Sequence, residues 1–109
     1  MKGMQMNLEA LEALAHEMGI LIGFADVPGM FIPPEAWPAG AFGENPPKEI
    51  RPVILLPKSA DREKRTLVLA HELGHASLGH RVGLKPRIVL EIEAWHWAKQ
   101  ALRGMAKAS

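Results

Sequence analysis

Between Thr66 and His80 the chain reads TLVLAHELGHASLGH, an apolar run that carries three histidines and one glutamate. His71 and His75 are four residues apart. On a helix they stand one turn apart on the same side, and both imidazoles reach a single point. Glu72 lies about 100° round the helix from His71. It can flank that point without binding there. This is the H-E-x-x-H arrangement, which offers zinc two nitrogen ligands and places a carboxylate beside the metal to handle the proton of an attacking water. The competing reading is a pair of buried histidines satisfied by backbone groups. Two imidazoles one turn apart would then need two separate partners in apolar surroundings. One metal ion satisfies both, so the metal reading is preferred.

On a helical wheel Leu67, His71, Gly74, His75 and Leu78 share one stripe, and the two leucines predict that this stripe faces the core. Gly74, between the histidines, is expected to let another element approach closely. His80 is a tempting third ligand. Continued helix geometry would put it about 180° from His71. The longer pattern H-E-x-x-H-x-x-G-x-x-H needs glycine at 78 and histidine at 81, where this chain has Leu78 and Arg81. His80 is therefore expected to be a helix-end histidine near the C-terminal dipole.

A catalytic zinc usually takes three protein ligands and keeps one open position. The last helical segment offers Glu91, Glu93 and His96. Its apolar stripe runs through Ala94, Trp95, Ala98, Ala101, Leu102 and Met105, and Glu91 is in phase with it. A carboxylate on a core-facing stripe needs compensation. Glu93 lies about 200° from Glu91, so it is expected to face water, and His96 about 140° away. Glu91 can also be read as a surface residue favoured by the dipole at the first turn; its phase favours the ligand. His16 reads as an ordinary, partly exposed histidine. Trp37, Trp95 and Trp97 read as packing residues, and Arg62 to Arg65 as a solvated helix face.

These residues must be positioned by a few short elements. Asn7 and Gly19 bracket a helix over 8–18. Residues 20–24 form an apolar strand ended by Asp26-Val-Pro-Gly29. Phe31 and Ile32 make a short strand, and residues 33–48 a long loop. Residues 51–57 form the second clear strand. Pro52 near its start suggests an edge position, or a strand whose first residue donates no ladder bond. Ser59 or Asp61 caps a helix over 61–79, with Gly79 and Gly83 as stops. Pro86 opens a last helix over 87–103. The order predicts an α+β fold.

The 109 residues are read as one domain over 1–109, with 1–6 flexible. Thirteen basic and 12 acidic side chains leave a formal net charge of +1, which is no electrostatic footprint for nucleic acid. There is no cysteine, so disulfides and thiolate ligands are excluded. No signal-peptide pattern and no apolar run of membrane-span length is present, and a cytoplasmic location without membrane attachment is expected. The oligomeric state is left open.

The chain resembles the ImmA/IrrE family of zinc metallopeptidases. LEALAHEMGILIGFADVPG is similar to that family's N-terminal helix and strand. VILLPKSADREKRTLVLAHELGHASLGH is similar to its strand, capped helix and HELGH core. EIEAWHWA, from Glu91 to Ala98, resembles its later E-x-x-A-N-x-F-A element, whose first glutamate is the third zinc ligand. The resemblance implies a minimal zincin-like (gluzincin-like) domain, with a small, mostly antiparallel sheet packed on three helices. It implies Zn2+ held by His71, His75 and Glu91, with Glu72 as catalytic base. It further implies a cytoplasmic regulatory protease that cuts a helix-turn-helix repressor, in a stress response or a mobile element. Trp95 replaces the family's asparagine, and the chain stops short of the usual leucine-rich continuation. Both features motivate an alternative, a zinc-binding interaction module that binds a regulator without cleaving it. For the enzyme, the edge of the sheet around Val53 to Leu56 is one expected site for an extended peptide. With no tyrosine in the chain, the oxyanion is left to His96, His80 or Arg81.

Overall fold

The computed structural model describes residues 8–36, 51–81 and 83–107. Its elements are α1 (Leu8–Glu17), β1 (Leu21–Ala25), β2 (Met30–Ile32), a 3-10 turn (Pro34–Ala36), β3 (Val53–Pro57), α2 (Arg62–Ser77) and α3 (Arg87–Lys107). The fold is α+β, as expected. Residues 1–6, Asn7, Trp37 and most of the 33–48 loop lie outside the described residues. Among the described residues no helix is long and apolar enough to cross a membrane.

The three strands lie in the order β1-β3-β2. β1 runs parallel to β3, from Leu21 opposite Val53 to Ala25 opposite Pro57. β2 runs antiparallel to β3, from Met30 opposite Leu55 to Ile32 opposite Val53. The sheet is thus mixed, not mostly antiparallel. β3 is its central strand, so Pro52 marks no edge. It stands just before the first paired residue, where its missing N–H costs no ladder bond, and its carbonyl accepts from the Leu21 N–H at 3.0 Å.

β3 is also the most deeply buried of the three strands. Ile54 and Leu56 are fully buried on one face. Onto that face pack Leu11 and Ala15 of α1 and Leu69, Ala70 and Leu73 of α2. The core-facing stripe of α2 is therefore 69, 70 and 73. Leu67 and Leu78 are 42% and 45% exposed. The TLVLAHELG segment is apolar on more than one face, and periodicity groups residues by face without saying which face meets the sheet. The histidines consequently flank the core on one side of it.

α2 begins at Asp61, whose carboxylate accepts from the Lys64 N–H at 2.8 Å. This is ordinary N-capping by one of the two residues expected to do it. α3 crosses α2 at Gly74, and the approach is close. A Cβ built on Gly74 would lie 2.6 Å from the Ala94 carbonyl oxygen and 3.1 Å from its Cα. Only glycine admits the Ala94 backbone at this point. Glu91 is one turn before Ala94 on α3, so this contact sets the carboxylate against the α2 histidines.

Candidate metal centre

His71 and His75 lie one turn apart on α2, and Glu91 reaches them from the first turns of α3. His71 Nε2 is 3.1 Å from Glu91 Oε1, and His75 Nε2 is 3.0 Å from Glu91 Oε2. One donor atom from each of the three residues lies within 4.8 Å of the others. The two imidazoles are largely buried and Glu91 is partly exposed. Among the described residues, no other histidine or acid joins this donor group.

The chemistry of the donor set fits a cation. Glu72 Oε2 lies 3.2 Å from His71 Nδ1. An ionised carboxylate only accepts, so Nδ1 carries the hydrogen. With one proton on the ring, Nε2 then points a lone pair at Glu91 Oε1. Two acceptors in contact repel unless a cation stands between them. Zn2+ is among the ions that take imidazole and carboxylate ligands.

A proton can take the cation's place, and the acid–base behaviour of the site reflects this. Burial pulls the His71 imidazole down, but the hydrogen bond and charge of Glu72, with the charge and hydrogen bond of Glu91, hold it above its ordinary value. His75 is lowered, first by burial and then by the neighbouring His71, against the pull of Glu72 and Glu91.

Glu72 is buried, with only 6% of its surface exposed. It lies against Gly29, where an added Cβ would be 3.4 Å from Oε2 and 2.5 Å from Val68 Cγ1. Any side chain at 29 would thus clash with Val68 and touch the carboxylate. Gly29 also lies at φ +133, a backbone region that disfavours other residues. Glu72, His71, His75 and Glu91 all border one groove of about 1090 Å³. Its opposite wall is Gly29 to Pro33, which includes β2.

His80 and Glu93 are placed differently from the sequence expectation. The helix ends at Ser77 and does not continue to 79. Gly79 adopts φ +68. Its N–H bonds to the Ala76 carbonyl at 3.2 Å, and the His80 N–H reaches back to the His75 carbonyl at 3.0 Å. This is a Schellman termination. It folds His80 back beside His75 instead of carrying it round to the far side. The buried His80 ring sets its Nδ1 2.9 Å from His75 Nδ1 and its Nε2 2.8 Å from Glu93 Oε1. Glu93 also accepts from Lys85 Nζ at 2.8 Å. The hydrogen bonds from Lys85 and then His80 hold its carboxyl below the ordinary range. Glu93 is therefore bonded within the structure and does not simply face water. The legible signal was Gly79: a left-handed stop there makes His80 the residue that returns to His75.

Trp95 is not a core residue. It is 43% exposed and stacks on His71, with ring centroids 4.3 Å apart and planes 21° from parallel. Arg81 borders the groove and is paired with Glu35. His96 is exposed and does not border the groove. His16 is likewise exposed, while Trp97 is partly buried against the core.

In a comparison with family models, residues 15–102 match the Peptidase M78 family through its IrrE N-terminal-like domain. No curated protein and no solved structure matched the chain.

Proposed function

The chain belongs to the Peptidase M78 family, as an IrrE N-terminal-like domain, and from that premise we propose that it is a zinc-dependent metalloendopeptidase. The observation that carries the reading is the convergence of His71, His75 and Glu91 in a groove that also holds the buried Glu72. The two Nε2 atoms and the Glu91 carboxylate would hold the metal. When bound, zinc acts as a Lewis acid, polarising a scissile carbonyl and acidifying water.

The chain's own groups supply the remaining steps. Glu72 takes a proton from the attacking water and delivers it to the leaving amine. Its carboxylate borders the same groove as the donor atoms, beside His71. β3 is paired on both sides, so Val53 to Leu56 offer no free edge to a peptide. Among the described residues β2 is paired on one side only, and Met30 to Ile32 border the groove. An extended substrate adds to that edge as a strand, and its backbone then runs past Glu72. Of the cations that border the groove, Arg81, Lys85 and Arg87, Arg81 is the one we propose for the oxyanion, once released from Glu35.

The substrate we propose is a helix-turn-helix repressor, a proposal that rests on the resemblance of the HELGH and EIEAWHWA elements to the ImmA/IrrE family. The regulatory role in a stress response or a mobile element, and the cytoplasmic setting, belong to the same proposal. The alternative of a non-cleaving, zinc-binding interaction module calls for a fourth protein ligand closing the site. The donor group found among the described residues has three members, which favours the enzyme.

Glu72→Gln decides the matter. The variant is expected to keep its zinc, by elemental analysis, and to lose cleavage of a peptide library or a repressor by about 10²- to 10⁴-fold, read by mass spectrometry. Cleavage equal to wild type would show that Glu72 is not the base. Zinc uptake with no cleavage by wild type would favour the interaction module.

A further inference from the structure

The contacts behind His75 leave its proton only one place to sit. An ionised Glu93 can only accept, so the 2.8 Å contact with His80 Nε2 is an N–H donated by His80. With a single proton on His80, its Nδ1 is then a lone pair. That lone pair faces His75 Nδ1 at 2.9 Å, so His75 must donate there. The proton of His75 is thereby held on Nδ1, and Nε2 is left as a lone pair directed at Glu91 Oε2, 3.0 Å away. Lys85, 2.8 Å from the second oxygen of Glu93, supports the carboxylate at the far end.

We propose that Glu93 and His80 form a positioning relay that locks His75 in its metal-binding tautomer and so strengthens metal affinity. The proposal rests on the metal-centre reading above and extends it to two residues outside the three-member donor group. Several features of the fold support a dedicated arrangement. The Gly79 turn returns the chain so that His80 meets the histidine one turn back. The His80 side chain is only 4% exposed, so water does not compete for its two nitrogens. His71 has a different support, with Glu72 at its Nδ1 and Trp95 stacked on its ring. Each histidine of the centre thus has its own carboxylate-based orienting contact, direct for His71 and through His80 for His75.

The test is zinc affinity of the full chain, measured by competition with a chromogenic chelator at one fixed pH, with melting of each zinc-free form recorded beside it. His80→Ala and Glu93→Ala are expected to bind zinc about ten- to a hundredfold more weakly than wild type. His80→Asn is expected to recover most of that loss, because its amide oxygen takes the place of Nδ1 and accepts from His75. A purely structural role for His80 would not be rescued by so much smaller a side chain. Glu93 is 35% exposed, so Glu93→Ala carries the test even if His80→Ala does not fold. Variants that bind within about twofold of wild type, well short of the range expected for an orienting partner, overturn the relay and leave the metal centre standing. So does a His80→Asn chain no better than His80→Ala. A wild-type chain that takes up no zinc overturns both.

Discussion

His71 lies between two carboxylates, Glu72 at Nδ1 and Glu91 at Nε2, and its charge state is tied to theirs. Its folded pKa is raised above the ordinary value of about 6.5. Its contribution to the zinc-free fold is therefore fully present below about 6.5 and is lost as pH rises through the folded value. His75 is lowered, so its contribution has the opposite sign: present above about 6.5 and lost as pH falls through its folded value. In the zinc-free chain His71 is expected to titrate at higher pH than His75, read from the imidazole proton shifts. Glu91→Gln should bring the His71 titration down, because one of its two carboxylates is gone. A metal needs both rings unprotonated at Nε2, so zinc affinity is expected to rise between about pH 6 and pH 8. Affinity that is flat over this range would show that the histidines are not ligands.

At the scale of the element, two contacts position the centre. Gly74 admits the Ala94 backbone. Gly74→Ala would gain up to about 1 kcal/mol of helix propensity. It would also place a methyl 2.6 Å from a carbonyl oxygen, and the partner there is backbone that cannot rotate away. Overpacking of this kind costs about 1–3 kcal/mol, so the net change is expected to be destabilising. It should also weaken zinc binding, since α3 must shift and Glu91 moves with it. A Gly74→Ala chain with wild-type melting and wild-type affinity would refute the close approach. Asp61→Ala removes the α2 cap and is expected to lower stability by about 1 kcal/mol in denaturant unfolding. Asp61 is at the opposite end of α2 from His75, so zinc affinity should be nearly unchanged. The two variants thus separate loss of helix stability from loss of site geometry.

At the scale of the molecule, the donor cluster joins α2 to α3, so a metal held there would be linked to folding. The core beneath it is small. Its largest fully buried side chains are Leu11, Ile54, Leu56, Leu69 and Leu73, and they belong to α1, β3 and α2. α3 contributes Leu90, Ala94 and Ala98, with Trp97 and Leu102 partly buried beside them. A metal shared with α2 would add to this packing as a further tie between the two helices. Free zinc at a hundred times its dissociation constant would stabilise the fold by about 2.7 kcal/mol. In a chain of this size that corresponds to a rise in Tm on the order of 10 °C. Chelation should reverse it, and His71→Ala should abolish it, by thermal melting. A Tm indifferent to zinc and chelator would argue that no metal bridges the two helices.

The sequence alone pointed to the three residues that cluster, because the spacing of the two histidines is a property of the helix itself. His71 and His75 share a face wherever a helix forms, and Glu72 flanks them. Glu91 was legible through its phase with Ala94 and Ala98, and the short strands and the caps at Asp61 and Gly79 through their residue types. Tertiary structure decided everything that depends on which face meets what. Leu67 and Leu78 shared the histidine stripe yet remain exposed, because the sheet took the 69, 70 and 73 face of a helix whose middle is apolar on more than one side. Val53 to Leu56 became the central strand because β1 and β2 both pair with it, a long-range choice that no local pattern encodes. His80 and Glu93 came together because a left-handed glycine reversed the chain after α2 and α3 packed alongside, whereas extrapolating one helix sent His80 the other way. Spacing along a helix survives folding unchanged, and the Gly79 turn is closed by local bonds; the partner that His80 then meets, Glu93 of α3, exists only once the elements have packed.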